Sequence, residues 1–270
     1  MPVFDLDALE HSGPHTQVVR FAILEPMHCD ATAIEVTNLT YRYADGTRAL
    51  DDVSFVIPHE HRVALLGPNG AGKSTLISHF NGITLAQEGT VAIEEVPITD
   101  ETVHDVRTRV GVVFQDPDNM LFMTSIGDDI AFGPLNMKLD ADEVQRRVDA
   151  ALEAMGITGL RDKPGMRVSF GQKKRAALAS VLAMEPAILI LDEPTSNLDP
   201  RAKREITQLV RDLDITLVIA THDMDLAWSL CDLALVLDEG RVVAYGPAHE
   251  IMADEHLMLA HGLEMPLAAR

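Results

Sequence analysis

The chain contains 270 residues, of which 47% are hydrophobic and 24% are charged, proportions typical of a globular protein with a sizeable core. Its formal net charge of −20 creates a field that repels phosphate backbones, which counts against a nucleic-acid-binding protein. The acidity fits either a well-hydrated surface or adaptation to a salty cytoplasm. No apolar run approaches the roughly 18 to 20 residues that span a bilayer, so we expect a soluble chain that reaches a membrane only through a partner.

Residues 1–32 lack sustained periodicity and contain the run Ser12-Gly13-Pro14, which predicts an N-terminal extension. The extension opens with acidic residues, the wrong charge for a secretory signal or a transit peptide. Four of its side chains belong to metal-ligating types: His11, His15, His28 and Cys29. Their spacing matches no tetrahedral site, which favours a solvated tail. With only 2 cysteines in the whole chain, we expect no disulfide framework and a reducing compartment.

From Ile34 the chain changes to short strand-like runs that are separated by turns. Five strands are predicted in this part: Ile34–Tyr43, Asp51–Ile57, Arg62–Leu66, Thr90–Ile93 and Val110–Phe114. The turn Asp45-Gly46 joins the first two strands as a hairpin. The third strand runs directly into a glycine-rich loop, after which a helix should begin near Lys73.

The rest of the chain alternates between helical and buried strand-like segments. A helix-prone region from Ser125 to Gly156 includes Asp142–Met155, where apolar residues recur at helical spacing. The predicted elements that follow are helix Gly171–Met184, strand Ala187–Leu191, helix Arg201–Leu213, strand Ile215–Ala220 and helix Met224–Leu230. Buried strands that alternate with helices indicate a parallel sheet covered on both faces. The early hairpin and a second one within Leu233–Tyr245 imply an antiparallel part beside that sheet.

A candidate phosphate-binding loop is the most informative segment. It fits the pattern G-x-x-x-x-G-K-[ST] and lies between a predicted strand and a predicted helix. Its residues are Gly67, Pro68, Asn69, Gly70, Ala71, Gly72, Lys73, Ser74 and Thr75. The glycines allow backbone N–H groups to surround a polyphosphate, Lys73 would reach the β- and γ-phosphates, and the Ser74 hydroxyl would ligate Mg²⁺. The alternative interpretation is a glycine-rich turn without a ligand.

Two acidic residues strengthen this prediction. Asp192 and Glu193 directly follow the predicted buried strand Ala187–Leu191. Because Asp192 would lie at the carboxyl end of that strand, beside the phosphate loop, we expect it to hold the Mg²⁺ water shell. Glu193 is placed to polarise the attacking water. The alternative is that the two acids merely end a strand and begin a loop.

Nearly all of residues 34–265 resemble the ATPases of ABC transporters, with the family's motifs in order and at similar spacing. Val168-Ser169-Phe170-Gly171-Gln172 looks like the signature motif, usually LSGGQ. The resemblance assigns the adenine-stacking aromatic to Tyr43, the Q-loop glutamine to Gln115, the D-loop aspartate to Asp199 and the switch histidine to His222. In the family the signature reaches the nucleotide of the opposite subunit, in a head-to-tail dimer. The resemblance therefore implies nucleotide contacts for Ser169, Gly171 and Gln172.

Two residues depart from the usual signature. Val168 replaces leucine, which is a mild apolar change, and Phe170 stands where glycine is commonest. An aromatic is frequent there in the cobalt and nickel branch, so the departure favours that branch over an inactive signature. Several other segments look like the ATPase of energy-coupling factor transporters for cobalt and nickel: Tyr41–Gly46, Phe114–Phe122, Ala131–Asn136, Gly171–Arg175 and Gly262–Leu267.

This second resemblance implies partners and a location. The partners are a second ABC ATPase subunit (an identical copy or a related paralogue), a transmembrane coupling subunit and a substrate-binding membrane subunit, with no nucleic acid. The location is peripheral, at the cytoplasmic face of the cell membrane. The segment Met120–Met123, beside the Q-loop, is soft and apolar, and we expect it to receive helices of the coupling subunit. Its alternative is ordinary core.

The expected fold is α/β, a P-loop NTPase of the ABC ATPase type. It has a mainly parallel core sheet, an antiparallel β subdomain and a helical signature subdomain. The predicted division is an extension at 1–32, an ATPase domain at 33–247 with its helical subdomain at about 116–184, and a helical appendage at 248–270.

The implied reaction is hydrolysis of MgATP. Glu193 acts as general base or water-positioner, His222 orients the γ-phosphate, and Gln115 helps to hold Mg²⁺ and couples it to the membrane subunits. The reaction would power import of cobalt or nickel ions. The alternatives are vitamin import, a soluble ABC ATPase acting on ribosomes or DNA, and a non-hydrolytic subunit. The last would need a broken Asp192-Glu193 pair or a missing His222.

Overall fold

A computed structural model describes residues 20–21 and 31–270, which form two β-sheets with helices packed around them. The strands are β1 (Arg20–Phe21), β2 (Thr32–Arg42), β3 (Arg48–Pro58), β4 (Arg62–Leu66), β5 (Glu88–Ile93), β6 (Val96–Pro97), β7 (Val110–Val113), β8 (Ile188–Asp192), β9 (Thr216–Ala220), β10 (Leu233–Asp238) and β11 (Arg241–Pro247). The helices are α1 (Lys73–Phe80), α2 (Val103–Arg109), α3 (Ile126–Asn136), α4 (Ala141–Ala154), α5 (Phe170–Leu182), α6 (Pro200–Arg211), α7 (Met224–Leu230), α8 (Ala248–Ala253) and α9 (Glu255–Ala260).

The larger sheet has seven strands in the order β1-β11-β10-β4-β9-β8-β7. The strands from β10 to β7 run parallel to one another. The last hairpin, β10 and β11, is antiparallel, as predicted, and turns at Glu239 and Gly240, which both have positive φ. In this order β4 and β8 are separated only by β9, so the segments that follow β4 and β8 emerge at the same edge of the sheet.

The smaller sheet has the order β3-β2-β5-β6, and its paired strands are antiparallel. An apolar core that includes α1 fills the space between the two sheets. Within it, the rings of Phe55 and Phe80 meet edge to face at 6.2 Å. This sheet is the predicted antiparallel part, and it supports the phosphate loop from one side.

A second apolar core lies on the other face of the larger sheet, under the helices α3 to α8. The apolar stripe of α4 faces this core through Val144, Val148, Ala151 and Leu152, as helical spacing predicts. Helices on one face and the antiparallel sheet on the other leave the parallel strands buried on both sides. The expected α/β architecture is confirmed.

Some elements were not predicted. Helix α2 lies in a stretch without an assigned element, and β1, inside the predicted extension, pairs in parallel with β11. Strand β2 begins at Thr32, two residues before the start predicted for this strand at Ile34. His11, His15, His28 and Cys29 lie outside the described residues. In the part of the chain that is described, none of the helices has both the length and the apolar character for a membrane crossing.

Candidate active site

The phosphate-binding loop occupies residues 67–72, between β4 and α1. Two of its glycines are required by their surroundings. At Gly67, where φ is 151°, a Cβ atom would collide with the carbonyl oxygen of Leu237 in β10. At Gly72, where φ is 105°, a Cβ would lie 2.5 Å from the carbonyl oxygen of Ala49 in β3. The loop is therefore clamped between both sheets, which fixes the course of its backbone.

Lys73 spans this loop from the first turn of α1. Its Nζ donates to the carbonyl oxygens of Gly67 at 2.7 Å and Pro68 at 3.0 Å. Burial lowers the pKa of Lys73, and the charges of Glu193 and Asp192 oppose that shift. The ammonium group of Lys73 is thus held inside the loop, where it interacts electrostatically with Asp192 and Glu193.

Asp192 is the last residue of β8 and faces this cation. Burial raises the pKa of Asp192, repulsion from Glu193 adds to the shift, and Lys73 and Lys174 oppose it. Asp192, Ser74 and Gln115 line the same cavity and offer a carboxylate, a hydroxyl and an amide oxygen. Such oxygen donors, together with the charge of Asp192, fit Mg²⁺.

Glu193 is buried and adopts a left-handed backbone conformation, with φ of 48°. Its Oε1 accepts from the backbone N–H of His222 at 3.0 Å and from His222 Nδ1 at 2.7 Å. Its Oε2 accepts from the hydroxyl of Thr221 at 3.3 Å. These three contacts tie the carboxylate to the segment that follows β9.

An open cavity of about 1080 Å³ brings most of the predicted residues together. The predicted residues that line it are Tyr43, Gly67, Pro68, Asn69, Gly70, Gly72, Lys73, Ser74, Thr75, Gln115, Asp192, Glu193 and His222. Ala71 is the exception in the loop, since its side chain is buried behind it. Residues as far apart in sequence as Tyr43 and His222 therefore share one site of a size suited to a nucleotide.

Tyr43 stands at the rim of this cavity. Its hydroxyl bonds to Oγ1 of Thr75 at 2.7 Å, and its ring meets Tyr41 edge to face at 5.3 Å. The residue is 46% exposed, so a ring face is available to a planar ligand.

Ser169, Gly171, Gln172 and Asp199 line a separate cavity of about 520 Å³, between the start of α5 and α6. Ser169 caps α5: its Oγ accepts from the backbone N–H of Gln172 at 3.3 Å, and its own N–H donates to the Gln172 side chain at 2.9 Å. Asp199 caps α6, and hydrogen bonds from the N–H groups of Ala202 and Arg201 lower its pKa. Within one chain the signature residues and the phosphate loop therefore line different cavities.

Sequence patterns did not single out three contributors to the site. Thr221 is fully buried beside Glu193, and Lys174 is 3% exposed beneath it. The segment Gly262–Leu267 and Arg270 line the larger cavity, anchored where the N–H of Leu267 donates to Asp225 at 2.7 Å. A buried threonine or lysine carries no motif of its own. The segments Gly171–Arg175 and Gly262–Leu267 resemble those of related ATPases, but that resemblance assigns no role to Lys174 or to the residues from 262 to 267. Among the described residues, no group of three or more His, Cys, Asp and Glu side chains forms a metal-binding cluster.

Comparisons with known proteins agree with this geometry. The sequence model of the ABC transporter family matches residues 50–196. The energy-coupling factor transporter ATP-binding protein EcfA of Carboxydothermus hydrogenoformans is 48% identical over 241 residues, which are 88% of this chain and 89% of that protein. EcfA3 of Clostridium perfringens is 45% identical over 239 residues, 86% of this chain and 84% of that protein.

Solved structures give the same result. The cbiO1 protein of Clostridium perfringens, part of the ABC transporter complex cbiONQ, superposes with a TM-score of 0.76 at 43% identity, covering 89% of this chain and 98% of that one. A dimeric ATP-binding cassette in a post-hydrolysis state, bound to ADP and Pi, has a TM-score of 0.72 at 26% identity, with 80% and 98% covered. This chain therefore belongs to the ABC transporter family, as an ATP-binding and ATP-hydrolysing subunit of the energy-coupling factor type.

Proposed function

We propose that this ATPase powers an energy-coupling factor importer for cobalt or nickel ions. The observation that carries the hydrolytic part is the placement of Glu193, hydrogen-bonded to His222 at 2.7 Å, in the cavity of the phosphate loop. The cargo is supported by the aromatic Phe170 in the signature and by the likeness to cbiO1, which is part of the cbiONQ complex. Vitamin import is the alternative within the same class.

The site is completed by a second ATPase subunit. Ser169 and Asp199 lie in a cavity apart from the phosphate loop, so they are free to act on a nucleotide held by another copy or by a paralogue. The ATP-binding cassette described above, which is dimeric and bound to ADP and Pi, supports this arrangement. A head-to-tail dimer would place each signature over the partner's phosphate loop, with two nucleotides between the subunits.

Each side chain then has a defined task. Ser74, Asp192 and Gln115 would hold Mg²⁺, which neutralises phosphate charge when it is bound. Lys73 leaves the loop carbonyls to pair with the phosphates, and the face of Tyr43 stacks on the adenine ring. Glu193 orients the attacking water and accepts its proton, which is typically worth about 10² to 10⁴ in rate.

His222 and the signature act on the transferred phosphoryl group. The ring of His222 extends into the cavity while its Nδ1 stays bonded to Glu193, so Nε2 is the atom that reaches the γ-phosphate. Ser169 Oγ already accepts from its own helix, which leaves its hydroxyl hydrogen for a phosphate oxygen of the partner's nucleotide. The N-terminal end of α5 adds its positive dipole.

A surface patch supports docking to a membrane subunit. Of the predicted segment Met120–Met123, the first two residues are half buried against the core, and only Phe122 and Met123 are exposed. Helix α3 extends the exposed surface through Phe132, whose ring meets Phe122 at 5.1 Å, and through Leu135. We call Phe122, Met123, Phe132 and Leu135 the docking patch. An exposed aromatic cluster of this kind is typical of a protein interface.

The placement of the elements suits the proposed division of the chain. Helices α3, α4 and α5 fall in the helical subdomain at about 116–184, and α8 and α9 fall in the appendage at 248–270. The docking patch belongs to the helical subdomain. The protein would sit peripherally at the cytoplasmic face of the membrane, with this patch against the coupling subunit.

Affinity purification from native membranes in mild detergent, followed by mass spectrometry, tests the proposal. We expect recovery of a second ATPase, a coupling subunit and a metal-binding membrane protein. The variant Phe122→Asp should lose the membrane proteins and keep its ATPase activity. Leu259→Asp is the matched control, since Leu259 is 63% exposed and Phe122 is 62% exposed.

Three other results would count against parts of the proposal. Recovery of a vitamin-binding membrane subunit would replace the metal cargo by a vitamin. Recovery of ribosomal or DNA-bound proteins without membrane proteins would overturn the transporter role while leaving the ATPase chemistry intact. Equal recovery with Phe122→Asp and Leu259→Asp would remove the docking patch from the interface.

A further inference from the structure

Lys174 is a charged side chain in an unusual place. It lies one turn into α5 and is 3% exposed. Lysine is almost never fully buried unless its ammonium group has partners, because the charge loses its hydration. The hydrogen bonds that Nζ makes with the described residues go to the carbonyl oxygen of Glu193 at 2.8 Å and to Oγ of Ser196 at 3.5 Å.

The carbonyl that Lys174 contacts belongs to the residue that carries the proposed catalytic carboxylate. Glu193 adopts φ of 48°, a conformation that non-glycine residues rarely adopt and that needs support from its surroundings. Its carbonyl oxygen also accepts from Oγ of Ser196 at 2.9 Å and from the Ser196 N–H at 3.2 Å. Three donors therefore hold this peptide group, and Lys174 supplies the charged one.

The ring of Phe170 is a further neighbour of the ammonium group. The Nζ of Lys174 lies 5.8 Å from the centre of the Phe170 ring, over its face, which is a cation–π geometry. The aromatic ring that departs from the usual signature thus adds a favourable contact for the lysine charge. Ser169, which caps the same helix, is adjacent to Phe170, so one rigid helix carries the signature and supports the Glu193 turn.

We infer that Lys174 is a positioning residue for ATP hydrolysis, which fixes the Glu193 turn and thereby aims its carboxylate at the attacking water. The inference rests on the proposed role of Glu193 as general base. Lys174 is not expected to touch the nucleotide, because it is absent from the residues that line the larger cavity. Its loss should therefore slow turnover much more than it weakens ATP binding.

The test compares Lys174→Met with Lys173→Met. Methionine keeps most of the length of lysine and removes the donor and the charge. Lys173 is the matched control, because it is the preceding residue in the same helix and pairs with the exposed Asp118. We expect kcat to fall roughly 10- to 100-fold in Lys174→Met, the range for a misplaced catalytic group. Its ATP affinity should stay within about threefold, and Lys173→Met should keep its kcat.

A double variant separates positioning from general structural support. If Lys174 acts through the Glu193 carboxylate, Lys174→Met should not slow single-turnover hydrolysis further in a Glu193→Gln background. Lys174→Arg, which keeps a cationic donor, should recover part of the lost kcat. Thermal unfolding checks that each variant is folded, and Lys174→Gln replaces Lys174→Met under the same criteria if the latter is unfolded.

Each contrary result has its own meaning. A wild-type kcat in Lys174→Met, beside a slow Glu193→Gln, would overturn the positioning role and leave the base assignment standing. An equal further loss in the Glu193→Gln background would overturn it as well, since Lys174 would then act elsewhere. Wild-type turnover in Glu193→Gln itself would overturn the base assignment and this inference together.

Discussion

His222 and Glu193 are joined at a single oxygen atom, since Oε1 of Glu193 accepts from both the backbone N–H and the ring Nδ1 of His222. Because an ionised carboxylate only accepts, Nδ1 carries the proton in this pair. The His222 side chain is 70% exposed and that of Glu193 is 12% exposed. We therefore expect a ligand that contacts the exposed His222 ring also to affect the buried carboxylate of Glu193.

This pair makes Glu193→Gln a geometrically mild change. The amide oxygen can still accept both hydrogen bonds from His222, but the side chain no longer takes up a proton. We expect ATP to bind, kcat to fall by about 10² to 10⁴, and a closed dimer to accumulate in ATP, visible by size-exclusion chromatography. Glu239→Gln is the control, because Glu239 is exposed and has a similar φ of 47°. Normal turnover without accumulation of a dimer would contradict the base assignment.

Lys73→Ala should abolish or severely weaken nucleotide binding. The lysine is the cation inside the phosphate loop, and its removal also frees the carbonyl oxygens of Gly67 and Pro68, at a cost of about 1 kcal/mol in unfolding free energy. Isothermal titration with ATP and thermal unfolding measure the two effects. Lys138→Ala removes an exposed lysine and should change neither of them. ATP affinity that survives in Lys73→Ala would contradict the assigned phosphate contact.

Substitutions at Tyr43 should separate the contribution of the adenine ring to ATP affinity from that of the phosphates. Tyr43→Ala removes a stacking surface worth about 1 to 3 kcal/mol, so ATP affinity should fall while affinity for inorganic triphosphate stays constant. Tyr43→Phe keeps the ring and loses only the bond to Thr75, so it should bind ATP almost normally. Parallel titrations with the two ligands measure this difference. Equal weakening for both ligands would instead show that Tyr43 supports the loop.

His79 should make the protein sensitive to acid. Its Nδ1–H donates to the carbonyl oxygen of Thr75 at 2.7 Å, and its buried Nε2 has no hydrogen-bond partner among the described residues. Burial lowers the pKa of His79 from its ordinary 6.5. Below that value the unfolded chain binds a proton that the folded chain excludes, so stability falls as pH drops, by up to about 1.4 kcal/mol per pH unit.

Urea unfolding at pH 7.5, 6.5 and 5.5 measures the contribution of His79. The variant His79→Leu should show a shallower loss of stability below pH 6.5 than the wild type. His104→Leu, which replaces an exposed histidine, should keep the wild-type slope. An identical slope in all three proteins would assign the acid sensitivity to other groups.

The parts of the fold that follow a local rule could be predicted closely. The strand β4 has the predicted bounds, and α1 begins at Lys73, because the phosphate-loop pattern fixes the strand before it and the helix after it. The seven-residue helix α2 was missed, since only Val103 and Val106 of its residues are buried and so short a helix shows little periodicity.

Properties set by tertiary packing could not be predicted. Lys173, Lys174 and Arg175 form a run of three basic residues, and only the packing of α5 against the segment after β8 decides which one is buried. The left-handed backbone conformation of Glu193 could not be predicted from the sequence either, because glutamate has no preference for it. In the same way, Met120 and Phe122 have similar apolar character, yet Met120 is half buried against the core and Phe122 is exposed.

The cavity-lining segment after α9 has a practical bearing on nucleotide measurements. Gly262–Leu267 and Arg270 line the cavity that also holds Tyr43 and the phosphate loop. A shortened chain that stops before Gly262 would lack these cavity-lining residues. Dissociation constants measured on such a chain would describe an altered cavity, so titrations require this segment to be present.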